Sequence, residues 1–174
     1  MDDIQKVFKG FEKVGIDTSI LVNLVVKDIN LFKFKEKNFS IKNIFYYAQK
    51  TKYEFMGVLI NKNGFDRKEA KKSWKRVADA LDLNLISTQK NKIFPYLFRV
   101  EEANNFLVKQ RGNCNFQMTY KIGKADIEII ANFLKEGVCL VYTSDRAFYE
   151  TCKILRLNSK IIFLPDYFKM EKRL

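Results

Sequence analysis

The chain has 174 residues, 47% hydrophobic and 30% charged, enough for one compact core and too few for two comfortable domains. Thirty-two Lys and Arg against 20 Asp and Glu leave a net charge of +12, which suits a polyanionic partner or a basic solvated surface. Histidine is absent, which excludes the usual zinc sites, Ser-His-Asp and Cys-His nucleophiles and an imidazole base, so any metal chemistry must use oxygen ligands and favours magnesium or manganese.

No apolar run approaches the ~20 residues that cross a bilayer, and the opening MDDIQKVFKG lacks the profile of a secretory signal. A cytoplasmic protein with no membrane association is expected. Cys114, Cys139 and Cys152 show no CxxC spacing and are odd in number, which argues against a closed disulfide framework. Within GVCLVY, Cys139 reads as a buried thiol.

Along the chain, Ile4, Val7, Phe8 and Phe11 at helical spacing predict a lead-in helix over about residues 1–13. VGID then reads as a short strand ending at Asp17, and TSILVNLVV as a buried helix with Thr18 or Ser19 as its cap. KNIFYYAQ is rich in aromatic and β-branched residues and predicts a strand, followed by a helix through KYEFMGVLIN. The clearest helix runs from about Asp66 to Leu81, with Ala70, Trp74, Val77, Ala78 and Leu81 on one face. Lys71, Lys72, Lys75 and Arg76 fall mainly on the other. LNLIS suggests a strand. Between 88 and 123 Pro95 breaks the pattern, EEANNFLVKQ suggests a helix, and Gly112, Asn113 and Asn115 suggest a loop. KADIEIIANFLKEG reads as a helix starting at Asp126 and stopping at Gly137. VCLVYTSD is a strand, DRAFYETCKIL a helix, and KIIFL a last buried strand stopped by Pro165. Strands alternating with helices over short connections predict a parallel sheet covered on both faces.

In open α/β sheets ligands bind beyond the carboxyl ends of the strands. Asp17 and Asp145 are placed there, and Asp126 opens the helix leading into the second of those strands. Each acid can simply cap a helix or complement its dipole. Helices starting at one sheet edge would bring all three together, however, and crowded carboxylates repel one another unless they are protonated or share a cation. A basic surface to hold a strand and an acidic notch to hold a metal together suit metal-assisted cleavage of a polyanion.

GIDTSIL resembles the opening motif of PIN domains, and KADIEIIANFL followed by LVYTSDRAFYE resembles their closing pair. YEFMGVL supplies Glu54 where the family carries an acid on a helix between these ends. The resemblance spans about residues 14–164. It implies an α/β fold: a three-layer sandwich with a central parallel five-stranded sheet, in one domain over 1–174. The sequence departs from a compact domain of that family in its lead-in helix and in the long stretch between Glu54 and Asp126, which allows an elaborated middle section over about 61–123. It further implies hydrolysis of RNA phosphodiester bonds with Mg²⁺ or Mn²⁺ held by Asp17, Glu54, Asp126 and Asp145. Thr143 would orient or support Asp145 through its hydroxyl, and Thr18 and Ser19 would cap their helix rather than touch substrate. Glu128 is the alternative to Asp126 as the third acid, though two residues further into a helix it should point away from Asp126. Lys71, Lys72, Lys75 and Arg76 could guide RNA, and Tyr46, Tyr47 or Tyr120 could stack on bases, although a solvated helix face and core packing are the simpler explanations of these residues.

PIN-like proteins act as toxins paired with an antitoxin or in RNA maturation and decay, and homodimers are common among them. A non-catalytic nucleic-acid-binding or scaffold protein of the same fold is the alternative. A phosphoacceptor signalling domain fits poorly, since such domains want an acidic pair after the first strand and this chain offers only Asp17.

Overall fold

Strand β1 (Glu12–Ile16) alternates its side chains between two helical layers, which sets the plan of the molecule. Val14 and Ile16 join one core, whereas Gly15 faces the other. The computed structural model describes residues 12–39, 42–86, 90–112, 121–155 and 161–163. Residues 1–11, which hold most of the expected lead-in helix, lie outside these. Residues 12 and 13, at the end of that expected helix, belong to β1 instead.

After β1 come α1 (Thr18–Val26), α2 (Leu31–Asn38), β2 (Asn43–Ala48), α3 (Gln49–Asn63), α4 (Arg67–Leu81) and β3 (Asn84–Ile86). They are followed by α5 (Lys90–Gly112), α6 (Lys124–Lys135), β4 (Leu140–Thr143), α7 (Arg146–Ile154) and β5 (Ile161–Phe163). The five strands form one sheet in the order β3-β2-β1-β4-β5. Every neighbouring pair is parallel, with Val14 opposite Phe45 on one side and opposite Leu140 on the other. The expected parallel five-stranded sandwich is therefore present. With β1 central, the carboxyl ends of β1, β2 and β4 meet at one edge.

The two faces carry separate cores. On one, α1 to α4 bury Ile20, Leu24, Phe34, Phe55, Leu59, Trp74 and Val77 against Val14, Ile16, Phe45 and Tyr142. On the other, α5, α6 and α7 bury Val100, Ile129, Phe133, Phe148 and Cys152 against Ala48, Ile86 and Val141. Burying a side chain of this size contributes about 1.5–3 kcal/mol. Gly15 belongs to this second contact: a Cβ there would stand 2.8 Å from the ring of the fully buried Phe133.

Local chemistry explains most boundaries. Asp66 accepts from the N–H groups of Lys68 and Glu69 while Glu69 accepts from Asp66 N–H, a reciprocal cap that starts α4. Gly64, at φ +73°, ends α3 in a left-handed conformation open to glycine at no steric cost. Helix α2 leaves little trace in the sequence because LFKFKEKN is mostly polar and buries only Leu31 and Phe34. It is held by the Asn30 cap, by edge-on packing of Phe39 on Phe34, Phe45 and Tyr142, and by the Tyr142 hydroxyl donating to Asn38 O at 2.8 Å.

Three local expectations change. Pro95 does not interrupt α5: it lies exposed in the second turn, where its missing N–H forfeits one early ladder bond and the apolar face that follows holds the rest. Gly112 belongs to α5 rather than to a loop, while Asn113 and Asn115 lie outside the described residues. Cys139 is only half-buried, with its thiol on Lys13 O at 3.3 Å, and Cys152 is the buried cysteine. Among the described residues no helix is long and apolar enough to cross a membrane.

Candidate functional site

Asp17 follows β1 directly and occupies the N-cap position of α1, yet it makes no side-chain capping bond there. Its N–H donates instead to Tyr142 O at 3.0 Å, which pins the end of β1 to β4. Its carboxylate is turned toward the β4–α7 turn and is 2% exposed. There Oδ2 accepts from Ser19 Oγ and from Thr143 Oγ1, the latter at 2.7 Å. Each hydroxyl in turn accepts a backbone N–H from the turn, Ser19 from Ser144 at 2.9 Å and Thr143 from Asp145 at 3.0 Å. Asn23 Nδ2 ties the same turn to α1 by donating to Ser144 Oγ at 3.0 Å and to Ser19 O at 2.8 Å.

This corrects one expectation and details another. Thr18 and Ser19 do not cap α1. Ser19 points at Asp17, and Thr18 donates to Glu54 Oε2 at 2.7 Å, joining the start of α1 to the middle of α3. Thr143 does support Asp145, but through that residue's backbone N–H, while its own proton goes to Asp17.

The other acids arrive from separate elements. Asp145 caps α7 by accepting from Phe148 N–H at 2.9 Å. Asp126 is the third residue of α6 rather than its start; Gly123 is the cap, and Gly123 N–H donates to Asp126 Oδ2 at 2.9 Å. A residue at that position faces the helix entrance, which swings the carboxylate toward the sheet edge. Glu128, two residues on, lies outside the cleft.

Asp17, Glu54, Asp126 and Asp145 line one open cleft of about 300 Å³, together with Thr18, Ser19, Asn23, Val58 and Lys62. Burial lifts the Asp17 carboxyl from its ordinary 3.8 to about 6, and the negative charges of Asp145 and Glu54 add to the rise against the pull of the two hydroxyls. Burial also raises Asp126, to about 7, assisted by the charges of Asp17, Glu54 and Asp145 and opposed by the Gly123 N–H. The charges of Glu54 and Asp145 thus reach both raised acids across the cleft. One oxygen of each is engaged by a hydroxyl or a backbone N–H, and among the described residues no three carboxylates or thiols stand close enough to hold an ion as they are.

The basic residues expected to guide a substrate lie elsewhere. Lys71 and Lys75 border a second groove of about 650 Å³ between α3 and α4, with Lys52, Tyr53, Met56, Ile60, Arg67, Trp74, Ala78 and Asp79. Lys72 is exposed outside both, and Arg76 stands 3.9 Å from Asp28 in a further hollow. Tyr47 packs edge-on against Trp74, Tyr46 packs against the second core, and Tyr120 lies outside the described residues. Sequence reasoning overlooked Lys62, the cation on the rim of the acid cleft. The spacing of Glu54, Val58 and Lys62, four residues apart on one helix, was the available signal.

The sequence matches no family model, and no curated protein is significantly similar to it. Several solved structures share its fold, two of them of known source. One is VapBC-1 from nontypeable Haemophilus influenzae, with a TM-score of 0.57 and 10% identity over 88% of this chain and 98% of that one. The other is VapBC2 from Rickettsia felis bound to a DNA fragment from their promoter, with a TM-score of 0.55 and 15% identity over 87% of this chain and 98% of that one. The likeness establishes the fold, a sandwich of helices on both faces of a central parallel sheet.

Proposed function

We propose that this PIN-like protein is a ribonuclease that hydrolyses RNA phosphodiester bonds in the cleft bounded by Asp17, Glu54, Asp126 and Asp145, with Mg²⁺ or Mn²⁺. The observation that carries this reading is the convergence of the four acids, from four elements, on one cleft. Carboxyls raised to about 6 and about 7 hold protons that a cation would displace, so the cost of crowding them is offset when one binds. All the donors are oxygens, which fits a hard cation. Asp145 is exposed and Glu54 half-exposed, so their side chains have the freedom needed to complete a ligand set.

A divalent cation held there supplies positive charge for the phosphate and makes water a better nucleophile at neutral pH. The protein's own groups do the rest. Ser19 and Thr143 hold Asp17 in one orientation, and their backbone partners fix the turn that presents Asp145. Thr18 holds Glu54 in the same way. Lys62, on the rim, is placed to meet a phosphate of the bound strand.

The test is cleavage of RNA by purified protein with Mn²⁺. Wild type is expected to cut, and Asp145→Asn and Asp126→Asn are expected to lose activity by at least about 100-fold while remaining folded. Cleavage persisting in both would place the chemistry at another site or in a contaminant. The shared fold with the VapBC structures favours a toxin held by an antitoxin as the setting for this activity. A non-catalytic RNA-binding role draws support from one observation, the absence of a closed ligand set among the described residues.

A further inference from the structure

Helix α3 has two flanks with different chemistry. Glu54, Val58 and Lys62 look into the acid cleft, whereas Tyr53 and Met56 look into the groove shared with α4. We propose that this groove binds single-stranded RNA and feeds it to the cleft, an inference that rests on the ribonuclease reading.

Charge complementarity selects the ligand. Lys71 and Lys75, one turn apart on α4, repel each other, and Lys52 adds a third cation from α3. None of the three forms an ion pair among the described residues. Lys52 lies over the Trp74 ring, 5.8 Å from its centroid, and Arg67 adds a further cation against the single carboxylate of Asp79, so the lining is net positive and suits a polyanion; the net charge of +12 points the same way.

The aromatic lining narrows the class. Trp74 is 7% exposed and committed to Tyr47 and Phe55, so it forms floor rather than platform. Tyr53 is 62% exposed and presents its ring to solvent beside those cations. A free ring among lysines suits unpaired bases, whose faces are open, and gives little to a duplex, whose faces are hidden by stacking. The groove and the cleft are separated only by the width of α3, about 10 Å for a helix with its side chains. A strand lying in the groove reaches the acids within a few nucleotides.

Binding is measured by fluorescence anisotropy of a labelled single-stranded RNA in EDTA, so that cleavage plays no part. Tyr53→Ala is expected to weaken binding about tenfold. The pair Lys71→Gln and Lys75→Gln is expected to lower the slope of log affinity against log salt by about 1.4, at ~0.7 per lost contact. Phe32→Ala, which removes a 72% exposed ring outside the groove, should change nothing. Thermal melts show that each variant is folded. Affinity unchanged in the groove variants, an equal loss in Phe32→Ala, or binding of an acidic amphipathic peptide in place of RNA overturns the inference. Groove-dependent binding by a protein that cuts nothing with Mn²⁺ removes the ribonuclease reading and leaves the groove's ligand standing. Cleavage with groove-independent binding does the reverse.

Discussion

Thr143 and Asp17, 126 positions apart, are joined by a hydrogen bond in which the Thr143 hydroxyl donates to Oδ2 of the buried carboxylate at 2.7 Å. The same hydroxyl accepts the N–H of Asp145 at 3.0 Å, so one side chain orients two acids of the cleft. Thr143 is fully buried, and its oxygen has no water to turn to if a partner is lost.

Thr143→Val keeps the shape and removes both bonds. We expect a loss of about 1–3 kcal/mol of stability and a fall in cleavage of roughly tenfold, whereas Thr143→Ser restores both. Melting curves and initial rates on the three proteins check this. A valine variant as stable and as active as wild type would show that the bond positions nothing.

The raised carboxyls set a pH dependence for the metal-free protein. Asp17 and Asp126 hold their protons in the folded state up to about 6 and about 7, whereas in the unfolded chain they lose them near 3.8. Their contribution to stability is therefore present below about pH 4 and is lost as pH rises through 6 to 7. In EDTA the melting temperature should fall by several degrees between pH 5 and pH 8, and Asp17→Asn, which keeps an acceptor for Ser19 and Thr143, should flatten that fall. A melting temperature that climbs over this range in wild type contradicts the assignment.

A cation should reverse the penalty. With Mn²⁺ at about 100 times its dissociation constant, binding to the folded state alone contributes about 2.7 kcal/mol. The rise in melting temperature should be largest near neutral pH, where protons compete least, and it should vanish in Asp17→Asn. Calorimetric titration gives the same answer without heating. An equal rise in the variant would locate the ion elsewhere.

Gly15→Ala tests the packing beneath the site. The added methyl would meet the Phe133 ring at 2.8–2.9 Å, and that ring is fully buried. A cost of about 1–3 kcal/mol is expected, part of which Phe133→Leu in the same chain should recover, since the two side chains share one space. Chemical denaturation of the single and double variants measures the coupling; strict additivity of the two changes argues that β1 or α6 shifts instead.

Much of this architecture is local and was readable in the chain. The periodicity of Ala70, Trp74, Val77 and Leu81 and the cap at Asp66 define α4, and the short apolar run VCLVYT holds β4, buried along its whole length. Helix α2 escaped because its stability comes from Phe39, Tyr142 and the Asn30 cap rather than from an apolar stripe. Helix α6 starts two residues before Asp126, a boundary that the sequence hides because its cap is a glycine, which carries no side chain to signal one.

The amino-acid sequence by itself determined the alternation of strands and helices, the supply of acids and the exclusion of imidazole chemistry, because propensity, periodicity and composition act over a few residues. Only the tertiary structure decided that β1 lies between β2 and β4, and with that the meeting of Asp17, Glu54, Asp126 and Asp145 at one cleft. It also decided that Ser19 and Thr18 serve the acids rather than the helix, and that Lys62 rather than Lys71 or Lys75 stands on the cleft's rim. The reason is physical: a hydroxyl beside a helix start can satisfy a backbone N–H or a carboxylate equally well, and the choice depends on which strand the fold lays beside it.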